Sequence, residues 1–136
     1  MNHDDMKVFG QTLYGEARGE SDEGVAACAH VILNRVSRPG WWSEPDHDIR
    51  SVCLKAWQFS CWLPNDPNRA KLHLVGPTDK QFRRCVKIAA FCMAGITPDP
   101  TDAATHYCTI NSHPKWAKGK MPNRIIGGHK FYKDID

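Results

Sequence analysis

Of the residues with chemistry to offer, Glu16 comes first. It lies in the stretch Gln11–Val36, QTLYGEARGESDEGVAACAHVILNRV, between an apolar helical segment and a turn flanked by Gly15 and Gly19. A carboxyl at the edge of a core, facing a cleft, can give up a proton and take it back; partial burial disfavours the charged form and suits a general acid. The nearby acids Glu20, Asp22 and Glu23 read as solvated caps, since negative charge is favoured at the start of the next helix. Downstream, Gln58, Ser60 and Trp62 alternate with Phe59 and Cys61, as in an extended piece lining a groove. An amide, a hydroxyl and a flat apolar plate are what a sugar-binding groove requires. Adjacent Trp41 and Trp42 either stack on sugar rings or pin their loop to the core.

Neither metal nor cofactor is expected. The seven histidines show no close ligand pair, and His47 between Asp46 and Asp48 reads as a polar loop. Single histidines such as His106 and His129 are more often satisfied in a core. The six cysteines (Cys28, Cys53, Cys61, Cys85, Cys92 and Cys108) contain no CxxC and read as reduced core thiols rather than disulfides.

Several helices must position these groups. Val25, Cys28, Ala29, Ile32, Leu33 and Val36 recur at helical spacing and predict a core wall with one buried stripe. Met6, Phe9 and Leu13 predict a shorter helix ahead of it, stopped by Gly15 and Gly19, with Glu16 at or just past its last turn. Ser37–Asp48 is a loop broken by Pro39, Gly40 and Pro45, and Ile49–Trp57 a short helix with Ala56 inward. Leu63–Pro77 is a long surface loop with a turn of helix around Asn68–Leu74. Thr78 and Gln81 form a capping box for a helix burying Phe82, Cys85, Val86, Ala89 and Cys92 and closing at Gly95. His106–Cys108 is β-like, and Gly127 and Gly128 within Arg124–Tyr132 suit a bend or hairpin that brings His129 and Phe131 back onto the body.

At 136 residues, 41% hydrophobic and 24% charged, the chain reads as one domain, residues 1–136. No run matches a transmembrane helix or a signal peptide, so synthesis in the cytoplasm is expected. Charge is uneven: residues 1–68 carry 6 Lys/Arg against 10 Asp/Glu, residues 69–136 carry 12 against 5. The basic half implies an anionic polymer as partner, nucleic acid or a cell wall bearing peptide carboxylates, and charge does not choose between them.

Taken in order, YGEARGE (Tyr14–Glu20), AHVILNRV (Ala29–Val36), QFSCW (Gln58–Trp62), ATHY (Ala104–Tyr107), PKWA (Pro114–Ala117) and IGGHKFY (Ile126–Tyr132) resemble the SleB-type cell-wall hydrolases. These are the spore-cortex lytic enzymes and their phage and prophage relatives. The resemblance implies a mainly α (α+β), lysozyme-like fold of the lytic transglycosylase branch, with a helical core and a small β element. It implies peptidoglycan glycan strands as substrate and Glu16, the first Glu of GEARGE, as the catalytic acid. Gln58 and Ser60 match the family's cleft residues, with Trp62 beside them, and substrate contacts fall by motif on His106, Tyr107, Trp116 and His129. No nucleic acid and no stable membrane insertion are expected, and the chain is expected to be a monomer. Neither a signal peptide nor a wall-binding repeat of the spore-enzyme kind is expected, and the chain carries Asp102 and Ala103 where glycine-rich sequence is expected. The first two expectations point to a phage or prophage endolysin, released to the wall in the periplasm by a holin-like partner.

Cleaving the bond between N-acetylmuramic acid and N-acetylglucosamine needs a proton on the leaving oxygen, and a hydrolase normally adds a second carboxylate. No convincing second carboxylate partners Glu16 in the sequence, which fits lytic transglycosylation, with muramidase hydrolysis as the close alternative. The rivals are an N-acetylmuramoyl-L-alanine amidase or other peptide-side enzyme, using zinc or a thiol such as Cys28 or Cys108, and a non-catalytic wall or nucleic-acid binder.

Overall fold

The computed structural model describes residues 3–43, 47–55 and 58–136. The expectations for Pro45, Asp46, Ala56 and Trp57 lie outside these residues. The chain is mainly helical with a small sheet: α1 (His3–Ala17), α2 (Asp22–Ser37), α3 (Ile49–Leu54), α4 (Asn68–Leu74), α5 (Lys80–Met93), then β1 (His106–Thr109), β2 (Arg124–Ile126) and β3 (His129–Tyr132). Single 3₁₀ turns occupy Ser60–Trp62 and Lys115–Ala117.

In α1, Val8, Phe9, Leu13 and Ala17 are buried at helical spacing. Gly15 does not stop this helix. It lies inside α1, where a Cβ would stand 2.7 Å from Cys61 Cβ, so glycine is needed for close approach. The helix ends at Ala17, whose carbonyl accepts from Glu20 N–H at 2.9 Å. Next, α2 begins with Ser21 Oγ accepting from Gly24 N–H at 3.2 Å. Its burial exceeds the single stripe expected: Gly24 to Ile32 are all buried. Small residues at Gly24, Ala26, Ala27 and Ala29 let α1, α3, α5 and the sheet close on it from several sides.

Two local expectations change. The cap of α5 is Asp79 rather than Thr78, its carboxylate accepting from Phe82 N–H at 2.9 Å. The 58–62 segment is not one extended piece: Phe59 is extended, but Ser60–Trp62 wind into a 3₁₀ turn. In that turn Trp62 N–H donates to Phe59 O at 3.1 Å and Leu63 N–H to Ser60 O at 3.0 Å. Phe59 and Cys61 are nonetheless both buried, as the alternation required.

The sheet is antiparallel in the order β1-β3-β2. Tyr107 pairs with Phe131 and Thr109 with His129, while His106 pairs with Tyr132 and Cys108 with Lys130. Since side chains alternate across a strand, Tyr107, His129 and Phe131 share the face turned to the helices, and His106, Lys130 and Tyr132 share the other. The inner face joins the main core through Ile126 and Phe131, and the outer face carries a second cluster of Trp42, Tyr132 and Ile135. No helix among the described residues is long and apolar enough to cross a membrane.

Candidate functional site

Glu16 occupies the last turn of α1 and is half-buried. Tyr107, projecting from the inner face of β1, donates its hydroxyl to Glu16 Oε1 at 2.8 Å. The hydroxyl is enclosed although the residue as a whole is half-buried, and burial together with the Glu16 charge pushes the phenol well above its ordinary value. It therefore stays a donor. The Cys61 thiol lies near the same carboxyl, and burial plus the Glu16 charge raise it far above its usual range. Cys28 beneath is raised for the same two reasons.

Arg35 was not anticipated, and it organises the next layer. It is buried in α2, donates from Nε to Thr105 O at 2.6 Å and from Nη1 to Gln58 Oε1 at 3.1 Å, and lies 5.1 Å from the Phe59 ring centroid. Burial lowers its pKa to about 10, opposed by Tyr107, Cys53 and Glu16. One side chain thus ties the 58–62 segment to the start of β1, the strand that carries Tyr107. The signal was present: Arg35 continues the buried phase of Cys28 and Ile32, where a cation is rare unless it is paired. Asn34 supports the same strand, its Nδ2 donating to Ala104 O at 2.8 Å and to Asp99 Oδ2 at 2.9 Å.

Asp99 also accepts from Thr101 N–H at 2.7 Å, Thr101 Oγ1 at 2.6 Å and Ala103 N–H at 3.1 Å. These bonds hold Asp102 and Ala103 at φ of 56° and 71°, left-handed backbone that glycine adopts without penalty. Where glycine-rich sequence was expected, Asp102 and Ala103 adopt the left-handed backbone that glycine favours.

Glu20 is not a solvated cap. Its Oε1 accepts from Gly128 N–H at 2.9 Å and lies 3.8 Å from His129 Nδ1, so it clamps the β2–β3 hairpin to the α1–α2 turn. Gly127, at φ 57°, leaves room for that carboxylate; a Cβ there would meet Glu20 Oε1.

The residues singled out from sequence divide by strand alternation. Glu16, Tyr107 and His129 share one side, His129 packing edge-on to Tyr107 at 5.0 Å, while Gln58 is held by Arg35, which also bonds Thr105 O just ahead of β1. His106 and Trp116 lie behind the sheet. The His106 ring is 4.8 Å from Trp42, 4.9 Å from Trp116 and 5.3 Å from Trp41, with Nδ1 on Thr105 Oγ1 at 2.9 Å. Burial, with Arg35 nearby, lowers its pKa to about 3. Trp42 is buried in this cage, so at least one of the paired tryptophans pins its loop. Ser60 is exposed. Trp62 donates its indole N–H to Thr12 Oγ1 at 2.9 Å, one helical turn before Glu16. There it lines a groove of about 380 Å³ with Gln11, Arg69 and His73.

This arrangement offers one carboxyl at a helix end, oriented by a phenol and flanked by a buried thiol. Among the described residues no group of His, Cys, Asp and Glu is placed to hold a metal ion.

The sequence pattern of the Cell Wall Hydrolase family matches residues 19–132, beginning just past Glu16. A spore cortex-lytic enzyme of Halalkalibacterium halodurans is 30% identical over 128 residues, 93% of this chain and 34% of the relative. That of Bacillus subtilis is 50% identical over 38 residues, 28% of this chain and 12% of the relative. The chain thus spans about a third or less of these relatives' length. The catalytic domain of the germination-specific lytic transglycosylase SleB from Bacillus anthracis superposes with a TM-score of 0.77 at 26% identity, covering 98% of this chain and 97% of that one. The SleB catalytic domain of Bacillus cereus gives 0.75 at 25% identity, covering 97% and 91%. The lysozyme-like architecture expected from the motifs is therefore present, and the chain belongs to the SleB-type cell wall hydrolase family.

Proposed function

We propose that this chain cleaves peptidoglycan glycan strands at the bond between N-acetylmuramic acid and N-acetylglucosamine, as a lytic transglycosylase with Glu16 as both acid and base. Glu16 protonates the departing glycosidic oxygen while positive charge develops at the muramoyl C1. The N-acetyl oxygen of the same sugar stabilises C1, and the Glu16 carboxylate then takes the proton of the muramoyl 6-hydroxyl as O6 closes on C1. The proton count balances, no water is consumed, and the product ends in a 1,6-anhydro ring.

The observation that carries this reading is the fate of Glu20. The carboxylate nearest to Glu16 in sequence is spent on Gly128 N–H, while Glu16 has the Tyr107 phenol as its hydrogen-bond donor and the Cys61 thiol as a neighbour. Neither supplies the second anion that a hydrolytic mechanism normally uses. The thiol rival is weakened by the same geometry. Cys28 and Cys108 are both raised, chiefly by burial, which disfavours the thiolate a nucleophile requires.

Mass spectrometry of muropeptides from digested sacculi tests the proposal. Anhydromuramoyl ends support it, reducing muramic acid ends assign hydrolysis, and free stem peptides assign an amidase. Glu16→Gln is expected to lower product release by roughly 10²–10⁴-fold, the usual contribution of a general acid.

A further inference from the structure

Residues 103–133 contain six Lys or Arg and no Asp or Glu. Four of them, Lys115, Lys118, Lys120 and Lys130, converge with His113 and Tyr132 on one groove of about 500 Å³. Lys130 and Tyr132 belong to the sheet face opposite Tyr107, so the groove lies on the far side of the sheet from Glu16. Its walls are fixed by Lys130 Nζ donating to Ser112 O at 3.1 Å and Lys120 Nζ donating to Asp134 O at 3.0 Å. Both acceptors are neutral carbonyls, which leaves the charge uncancelled, and Lys115 and Lys118 have no acidic partner among the described residues. Like charges gathered along one groove raise the local concentration of an anionic polymer.

We propose that this groove is an accessory site for the carboxylates on the peptide stems of the wall polymer, holding the insoluble substrate while Glu16 works on the other side of the sheet. The assignment rests on reading the chain as a wall enzyme. Carboxylates are favoured over nucleic acid by two features. The groove presents separate ammonium point charges and no arginine fork of the kind that grips phosphate. Its aromatic residue, Tyr132, is buried, which leaves no open platform for stacking bases.

The test uses Glu16→Gln protein, so that binding is measured without digestion, with and without Lys115→Gln, Lys118→Gln and Lys120→Gln together. Co-sedimentation is measured on intact sacculi, on sacculi whose carboxyls have been amidated, and against double-stranded DNA. Removal of the three charges is expected to weaken binding to intact sacculi by about tenfold, the scale of several exposed ionic contacts. Amidation should weaken the Glu16→Gln protein equally and leave nothing further for the lysine changes to remove. With Glu16 intact, the lysine changes should leave turnover of soluble, peptide-free glycan chains unaltered and a cooperative thermal melt in place, since Lys120 loses only its exposed bond to Asp134 O. Equal binding by both proteins, indifference to amidation, or tighter binding to DNA than to sacculi would overturn the proposal, as would loss of turnover on soluble chains. Absence of any glycan product from the unmodified chain is a separate failure, that of the cleavage reading itself.

Discussion

Tyr107→Phe removes one hydroxyl and isolates what it does for Glu16. The phenylalanine ring keeps the packing against Phe59 at 6.3 Å, His129 at 5.0 Å and Phe131 at 5.7 Å, so the strand should stay in place. What disappears is the 2.8 Å bond from the hydroxyl to Glu16 Oε1. As an acid gives up its proton it becomes a carboxylate, and a donor aimed at it strengthens as that charge develops. With Glu16 in its proposed role as the acid, the bond is worth more in the transition state than in the ground state, and its loss is expected to lower kcat rather than raise KM. A hydrogen bond to a charged group contributes about 1.5–3 kcal/mol. At roughly 1.4 kcal/mol per decade, the fall in kcat is about 10- to 150-fold. Initial rates of fragment release at several sacculus concentrations give the split between kcat and KM, and a thermal melt confirms the fold. A kcat within about twofold of the parent, or a rise in KM alone, would refute the reasoning and make Tyr107 a substrate contact.

Two further perturbations probe the supports. Gly127→Ala sets a Cβ against Glu20 Oε1 at a φ of 57°, so the carboxylate must leave Gly128 N–H. Backbone strain of about 1–2 kcal/mol adds to loss of a charge-assisted bond of about 1.5–3 kcal/mol. Denaturant melts should show a stability loss of about 2.5–5 kcal/mol, whereas the same change at Gly19, with open space around it, should show far less. His106 tests the outer face through pH. Its folded pKa of about 3 lies below the ordinary 6.5, so the unfolded chain takes the proton first. Its contribution is intact above 6.5 and is lost as pH falls toward 3, at up to about 1.4 kcal/mol per pH unit. His106→Phe should flatten that limb, and chemical denaturation at pH 7, 5.5 and 4.5 measures it.

Sequence by itself settled the helical architecture, because apolar spacing such as Phe82, Cys85, Ala89 and Cys92 has one periodicity that buries it. It also pointed to a turn of helix around Asn68–Leu74, which is the longer α4, and to a bend or hairpin at Gly127 and Gly128, where composition and turn residues act over a few positions. Motif order supplied the family and, with it, the attention to Glu16. What only tertiary structure decided is which distant groups meet. Gly15 reads as a helix stop until Cys61 is found pressed against it, and Glu20 reads as a cap until Gly128 N–H arrives from 108 residues away. Likewise, adjacent His106 and Tyr107 look equivalent in a motif. A strand sends neighbouring side chains to opposite faces, so one enters a tryptophan cage and the other reaches Glu16. Local propensity is written in neighbouring residues, whereas a site depends on contacts whose partners are chosen by packing the whole chain.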